Sequence, residues 1–299
     1  MKIIRHPQKG KLHRPVVALG TFDGVHLGHR QVLMAAVKQA QKLGAHSAAI
    51  TFHPHPQEVI VPQRGLKLLT TLKEREELFC ANGIDSVIVI KFTRHLQKLS
   101  YEDFVVNYLV RKLGVRWVCV GYDYAFGAGR SAGTVQLKAL GQKFGFGVTV
   151  VSPVKVGGQI AKSGKIRVLL GEGKFDWAVK MLGHAYRLTG KVVRGAGRGA
   201  RLGFPTANLK VDPDKLIPAQ GVYYGLVGKK KCVVNIGSRP TFGVGELLVE
   251  VHIPGFHGSL RGRTLEVDLL RRLRNEKQFT DADRLIEQIK KDIVRARAM

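Results

Sequence analysis

Across residues 14–150 short apolar, β-rich runs alternate with helical patterns, and few folds accommodate that alternation. RPVVAL, AHSAAITF, DSVIVIKF, RWVCVGYD and FGVTVVSPV read as short buried strands. Between the first two, RQVLMAAVKQAQKLG sets Val32, Leu33, Ala36, Val37 and Ala40 at helical spacing. SYEDFVVNYLVRKLG reads as a second helix, capped by Ser100 with Asp103 three positions on. VQLKALGQKFG leads to the last strand. Strand–helix alternation with short connections predicts a parallel sheet covered by helices.

The texture then changes. KSGKIRVLLGEGKFDWAVKMLG, residues 162–183, reads as a helical pair. Residues 184–275 are rich in glycine and carry the β-rich runs RLTGKVVRG, GVYYGLVG, KKCVVNIG, ELLVEVHI and RTLEVDLL. That pattern predicts a compact antiparallel barrel or sandwich. A final helix is expected from Thr280, with Asp283 completing a capping box and Leu285, Ile286, Ile289 and Ile293 as its inner stripe. The expected domains are therefore residues 1–183 and 184–299.

The first domain opens with GTFDGVHLGHR, residues 20–30, between a strand and a helix. Backbone N–H groups at such a turn, together with the helix dipole, favour an anion and above all phosphate. Gly24 and Gly28 allow a close backbone approach. His26 and His29, three positions apart, can project toward the same phosphate oxygens and stabilise charge that develops there. Zinc is a competing reading, with His53 and His55 of TFHPHP as further ligands, but no zincin glutamate or cysteine pair accompanies them. The dinucleotide fingerprint GxGxxG is absent from this turn.

In the second domain RGAGRGARLGFPTANL, residues 194–209, can wrap a polyphosphate through backbone N–H groups around Gly197 and Gly203, with Arg198 and Arg201 adding charge. After Pro205, the Thr206 hydroxyl and the Asn208 carbonyl oxygen suit Mg²⁺ bound to ATP. A plain turn leading into a strand is the alternative for this stretch, which is not a Walker loop.

H-x-G-H after a strand is the signature of the nucleotidylyltransferase superfamily. GTFDGVHLGH, TFHPHPQEV and GYDYAFGAGR together resemble the adenylyltransferase half of prokaryotic bifunctional riboflavin kinase/FAD synthetases. GFPTANL, PAQGVYYG, NIGSRPTFG, LLVEVHIPGF and LRNEKQF follow in the order found in riboflavin kinases. The resemblance implies a Rossmann-like α/β domain followed by a mainly β kinase barrel with a C-terminal helix. It implies an enzyme that uses ATP to phosphorylate riboflavin to FMN, then transfers adenylyl from ATP to FMN with loss of pyrophosphate. On it, Gly20, Phe22, Asp23, Gly24 and Gly28 line the nucleotide, His26 and His29 hold its phosphates, and Asp123 places Mg²⁺ or nucleotide. Ser163 and Arg167 of KSGKIR match the family's S-S-T-x-I-R, with Arg167 neutralising pyrophosphate, and Glu250 matches the catalytic base of the kinase. Lys162 and Gly164 depart from that motif, replacing a serine and a threonine. Arg261 is a further departure, in L-R-G for L-Y-G. A kinase with an impaired or redirected N-terminal domain is therefore a second reading.

The chain has 49 basic and 22 acidic residues, a net charge of +27. That excess attracts polyanions in general or forms a solvated lysine-rich surface, and a basic nucleic-acid-binding protein is the reading from a different class. Aromatic residues are only 7% of the chain and do not interleave with the basic ones, which weakens that class. Three scattered cysteines without metal spacing, no apolar signal core and no long apolar segment predict a cytoplasmic protein without a membrane partner.

Overall fold

The computed structural model describes residues 1–299 apart from 6, 8, 9, 11, 196, 198, 200, 201, 239–246, 278 and 280. It divides into two compact units, Met1–Lys162 and Ser163–Met299.

The first unit is built on β1 (Lys2–Ile4), β2 (Val16–Leu19), β3 (Ser47–His53), β4 (Ser86–Lys91), β5 (Trp117–Gly121) and β6 (Gly147–Val151). They form one sheet in the order β1-β4-β3-β2-β5-β6, every neighbouring pair parallel. A small hairpin, β7 (Lys155–Val156) and β8 (Gln159–Ile160), follows. The helices are α1 (Leu27–Leu43), α2 (Pro56–Ile60), α3 (Leu72–Ala81), α4 (Arg94–Lys98), α5 (Tyr101–Phe104) and α6 (Thr134–Phe144). Parallel strands buried on both faces need continuous apolar runs, which the sequence supplies. One face packs Ala18, Phe22, Leu33, Ala36 and Phe79; the other packs Val17, Leu19, Phe104, Leu109 and Leu137.

Several details differ from the sequence reading. The helix expected from Arg30 starts at Leu27, because His26 itself is the cap. Ser100 caps α5 as expected, but residues 105–112 continue it with π-helical spacing. β1 and α3 were not evident, the first because three residues carry no period, the second because its buried positions include Glu74, Arg75 and Glu76.

The second unit is a closed antiparallel barrel of β9 (Tyr186–Val193), β10 (Ala207–Val211), β11 (Gly221–Val227), β12 (Lys230–Ser238), β13 (Leu247–His252) and β14 (Thr264–Arg274), in the order β10-β13-β12-β11-β14-β9. Closure removes the exposed edges that an open sheet would present. Leu188, Tyr223, Val234, Ile236, Val249, Val251, Val267 and Leu269 are fully buried. Two helices precede the barrel, α7 (Ser163–Gly171) and α8 (Phe175–Leu182). Phe175 of α8 sets its ring edge-on to Tyr186 and Tyr223, with centroids 6.5 and 5.0 Å away. The compact unit thus begins at Ser163, whereas residue 183 marks the approach to the first barrel strand.

The terminal helix α9 (Ala282–Arg297) is capped by Asp281, which accepts from the Arg284 amide; Thr280 lies outside the described residues. Its Ile293 and Ala296, with Ile289, cover Val222, Tyr224 and Val233 on the outside of the barrel. Asp292, 1% exposed, takes Nε and Nη2 of Arg274 at 3.0 and 2.8 Å and Nε2 of Gln288 at 3.0 Å. Removing one member of so buried a pair strands the other charge. Asp292→Ala is expected to destabilise the barrel and its helix by about 3 kcal/mol, read as a lower urea midpoint for that unit.

Candidate active sites

The strand order fixes where the first unit can bind a ligand. From β2 the chain builds outward through β3 and β4, then returns to place β5 on the other side of β2. Loops leaving the carboxyl ends of β2 and β5 therefore diverge, and the crevice between them is where open α/β sheets bind ligands. Residues 20–26 leave β2 at this point, and Tyr122 and Asp123 leave β5.

The turn after β2 is held from beneath. Phe22, Gly24 and Val25 have positive φ, and Phe22 and Val25 are fully buried. Asp23, 1% exposed, accepts from the amides of Leu69 and Thr70 at 3.1 and 3.0 Å and from the Thr70 hydroxyl at 3.1 Å. The Gly24 amide donates to the same hydroxyl at 2.9 Å. Asp23 and Gly24 thereby fasten the turn to the segment that starts α3. Arg75, 1% exposed, completes the fastening: its Nη1 reaches the Thr21 carbonyl at 2.9 Å and the Thr51 hydroxyl at 3.0 Å, and its Nη2 the Thr70 carbonyl at 3.4 Å. Burial pushes the Arg75 pKa down, and Asp23, Glu58, Glu76 and Glu74 oppose that shift.

The histidines occupy the upper side. His26 Nδ1 accepts from the His29 amide at 3.3 Å, so the proton of the neutral ring sits on Nε2. The two rings stack with centroids 3.6 Å apart and planes inclined by 19°. Phe22 meets His29 edge-on at 5.3 Å. A Cβ on Gly28 would lie 3.1 Å from Cε1 and 3.2 Å from Nδ1 of His26, so glycine makes room for the folded-back ring. Burial first, then His26 and then Arg75, hold His29 well below the usual histidine range. Its Nδ1 is buried and has no hydrogen-bond partner among the described residues, a polar atom that a ligand oxygen would satisfy. His55, by contrast, spends its Nδ1 on the Gln57 amide as the cap of α2. No group of three or more His, Cys, Asp or Glu is placed to hold a metal among the described residues.

Asp123 is exposed and pairs with Lys162 at 3.3 Å. Ser163 and Arg167 lie one turn apart on α7, in the second unit.

In the barrel, registry builds the second site. Asn208 of β10 stands opposite Glu250 of β13, which stands opposite Asn235 of β12. Val249 and Val251 are buried, whereas Glu250 and His252 are only partly so, as alternation along the strand requires. His252 Nδ1 lies 2.9 Å from the Pro205 carbonyl, which fixes the entrance to Thr206 and Asn208. Asn208 packs its amide against Gly195, where any Cβ would collide with it. Gly197 and Gly203 have φ of +69° and +85°, conformations that L side chains rarely adopt. Arg198 and Arg201 lie outside the described residues. A cavity of roughly 620 Å³ opens beside the row, lined among others by Ile217, Pro218, Ala219, Arg272, Asn275 and Glu276. Arg272 Nε is buried there without a partner among the described residues.

Sequence reasoning passed over Thr70, Arg75, Asn235 and Glu276. Thr71 with Glu74 three positions on was a legible capping box that would have revealed α3, and the alternation in KKCVVNIG sets Asn235 apart from buried Val234 and Ile236.

Comparison with known proteins covers both units. The family model described as FAD synthetase matches residues 8–165, and the model described as riboflavin kinase matches residues 182–299. The chain is 34% identical to the bifunctional riboflavin kinase/FMN adenylyltransferase of Escherichia coli strain K12, over 99% of this chain and 97% of that one. It is 36% identical to the protein of the same description from Listeria monocytogenes, over 93% and 90% of the two chains. A crystal structure described as a macrolide-efflux protein from Streptococcus pneumoniae superposes with a TM-score of 0.88 at 27% identity, covering all of both chains. Among the described residues of the present chain no helix is long and apolar enough to cross a membrane.

Two outcomes follow from the histidine geometry. Gly28→Ala should push the His26 ring off His29, seen as altered imidazole Cε1–H chemical shifts for both residues. As pH falls through about 6.5, the unfolded chain takes up a proton that buried His29 resists, so the folded state loses stability on the acid side. His29→Gln should flatten that loss, measured as midpoint of thermal unfolding against pH.

Proposed function

The chain belongs to the bifunctional riboflavin kinase/FMN adenylyltransferase family, and on that premise we propose how its two sites divide the work. The protein is an ATP-dependent transferase that phosphorylates riboflavin to FMN and adenylylates FMN to FAD. We assign adenylylation to residues 1–183 and phosphorylation to residues 184–299.

At the first site an oxygen of the FMN phosphate attacks the α-phosphorus of ATP. The new P–O bond forms as the bond to the bridging oxygen breaks, and the electron pair leaves with pyrophosphate. No covalent enzyme intermediate is required, so alignment and charge neutralisation carry the rate. His26 and His29 hold the triphosphate, Gly20, Phe22, Asp23, Gly24 and Gly28 form the turn that lines the nucleotide, and Asp123 orients the nucleotide or its counterion. From the family motif we assign Arg167 to neutralise the departing pyrophosphate and Ser163 to bind phosphate. The observation that carries this reading is the stacked histidine pair, with its orphaned Nδ1, on the turn at the strand-order reversal.

At the second site the terminal ribityl hydroxyl of riboflavin attacks the γ-phosphorus of ATP, its proton passes to Glu250, and ADP leaves. Thr206 and Asn208 offer hard oxygen donors beside that carboxylate, a set that fits Mg²⁺. The metal, when bound, supplies positive charge to the phosphates. Gly197, Arg198, Arg201, Gly203 and Pro205 belong to the loop assigned to ATP. The neighbouring cavity, apolar along Ile217–Ala219 and polar at Asn275 and Glu276, suits the flavin ring. We place the protein in the cytoplasm, and the charge of +27 supports weak, salt-sensitive polyanion binding beside catalysis.

Incubation with riboflavin, ATP and Mg²⁺, followed by separation of flavins, tests both assignments. His29→Ala should accumulate FMN without FAD. Glu250→Ala should slow FMN formation by about 10²–10⁴-fold while still converting supplied FMN to FAD. Retention of FAD synthesis in the first variant, or of full kinase activity in the second, would reject the corresponding site.

A further inference from the structure

We infer that Lys162 is a phosphate-binding residue of the adenylylation site, kept in place by Asp123 and transferred to the triphosphate when ATP enters. This rests on the reading of the histidine turn as the ATP site. Lys162 stands where the family motif has a serine, and two positions on Gly164 stands for a threonine. The chain has thus lost two hydroxyl donors from that motif. Among the described residues beyond its own chain neighbours and helix backbone, nothing lies within 4 Å of where a Cβ on Gly164 would project, so packing does not require the loss.

The geometry shows where the ammonium sits. Its Nζ lies 3.3 Å from Oδ2 of Asp123, the residue that leaves β5 on the far side of the crevice from the histidine turn. Ala161, one residue earlier, has its carbonyl oxygen 3.7 Å from the Cβ position of Gly28, the glycine on which the His26 ring folds. The segment carrying Lys162 therefore runs beside the first turn of α1, and the side chain spans from there toward the β5 loop. Tyr122 flanks it, with Nζ 5.5 Å from the ring centroid. Hydrogen bonding to Tyr122 raises the lysine pKa, and Asp123 adds to that effect, so the group is a full cation across the neutral range.

The pair is also easy to exchange. Both side chains are about half exposed, 51% and 55%, and ion pairs in that setting are weakly held. A lysine ammonium is a compact charge on a flexible stem, free to leave one carboxylate for a multiply charged triphosphate. One cation thereby replaces the lost hydroxyl donors.

The test uses the full-length enzyme, with riboflavin phosphorylation as an internal control. Lys162→Met should raise KM for ATP in FMN adenylylation by about tenfold, with kcat much less affected and riboflavin phosphorylation unchanged. Lys162→Arg should restore a near-native KM, and the dependence of KM on KCl concentration should be shallower in the methionine variant. An unchanged KM in Lys162→Met, while His29→Ala abolishes FAD formation, would overturn the role of the lysine alone. FAD formation that survives His29→Ala would overturn the site on which it rests.

Discussion

Beneath the histidine turn, a buried guanidinium and a buried carboxylate decide the shape of everything above them. Arg75 gathers the Thr21 carbonyl, the Thr51 hydroxyl and the Thr70 carbonyl, while Asp23 draws in the amides of Leu69 and Thr70. Three chain segments distant in sequence are thereby pinned at one sheet end. Charged groups in such a position are costly unless their hydrogen bonds are well met, and they are kept where a particular geometry matters. The geometry at stake here is the positive-φ path through Phe22, Gly24 and Val25 that turns both imidazoles to one side.

The two units reach phosphate chemistry by different physical means. The parallel sheet supplies a helix start, a switch of strand order and two stacked imidazole rings, all fixed by backbone direction. The barrel supplies cross-strand registry, which brings Asn208, Glu250 and Asn235 into one row across three strands. In the first case a ligand is met by polar groups awaiting charge. In the second, acidic and amide oxygens are the groups to which we assign a cation and a substrate proton.

Most of the architecture was legible because it rests on local periodicity. The five apolar runs became β2 to β6, and the glycine-rich half closed into a barrel. What escaped depends on contacts between distant positions. Arg75 reads as an ordinary solvated charge in LKEREELFCA, and only the fold reveals that it is 1% exposed. Asp23 stands in the GTFDG motif, but its bonds to the Leu69 and Thr70 amides, 46 and 47 positions away, follow no local pattern. His26 and His29 were visible as a pair, but not that His26 closes the helix start by accepting from the His29 amide.

Phe175 has a consequence for the architecture of the gene as much as of the protein. Its ring sits against Tyr186 and Tyr223 and is 1% exposed, although it precedes the first barrel strand. A truncation that kept only the β-rich half would leave both tyrosines facing a hollow. An autonomous fragment must therefore carry α8 along, and with it a stretch of polypeptide that sequence texture alone assigns to the neighbouring domain.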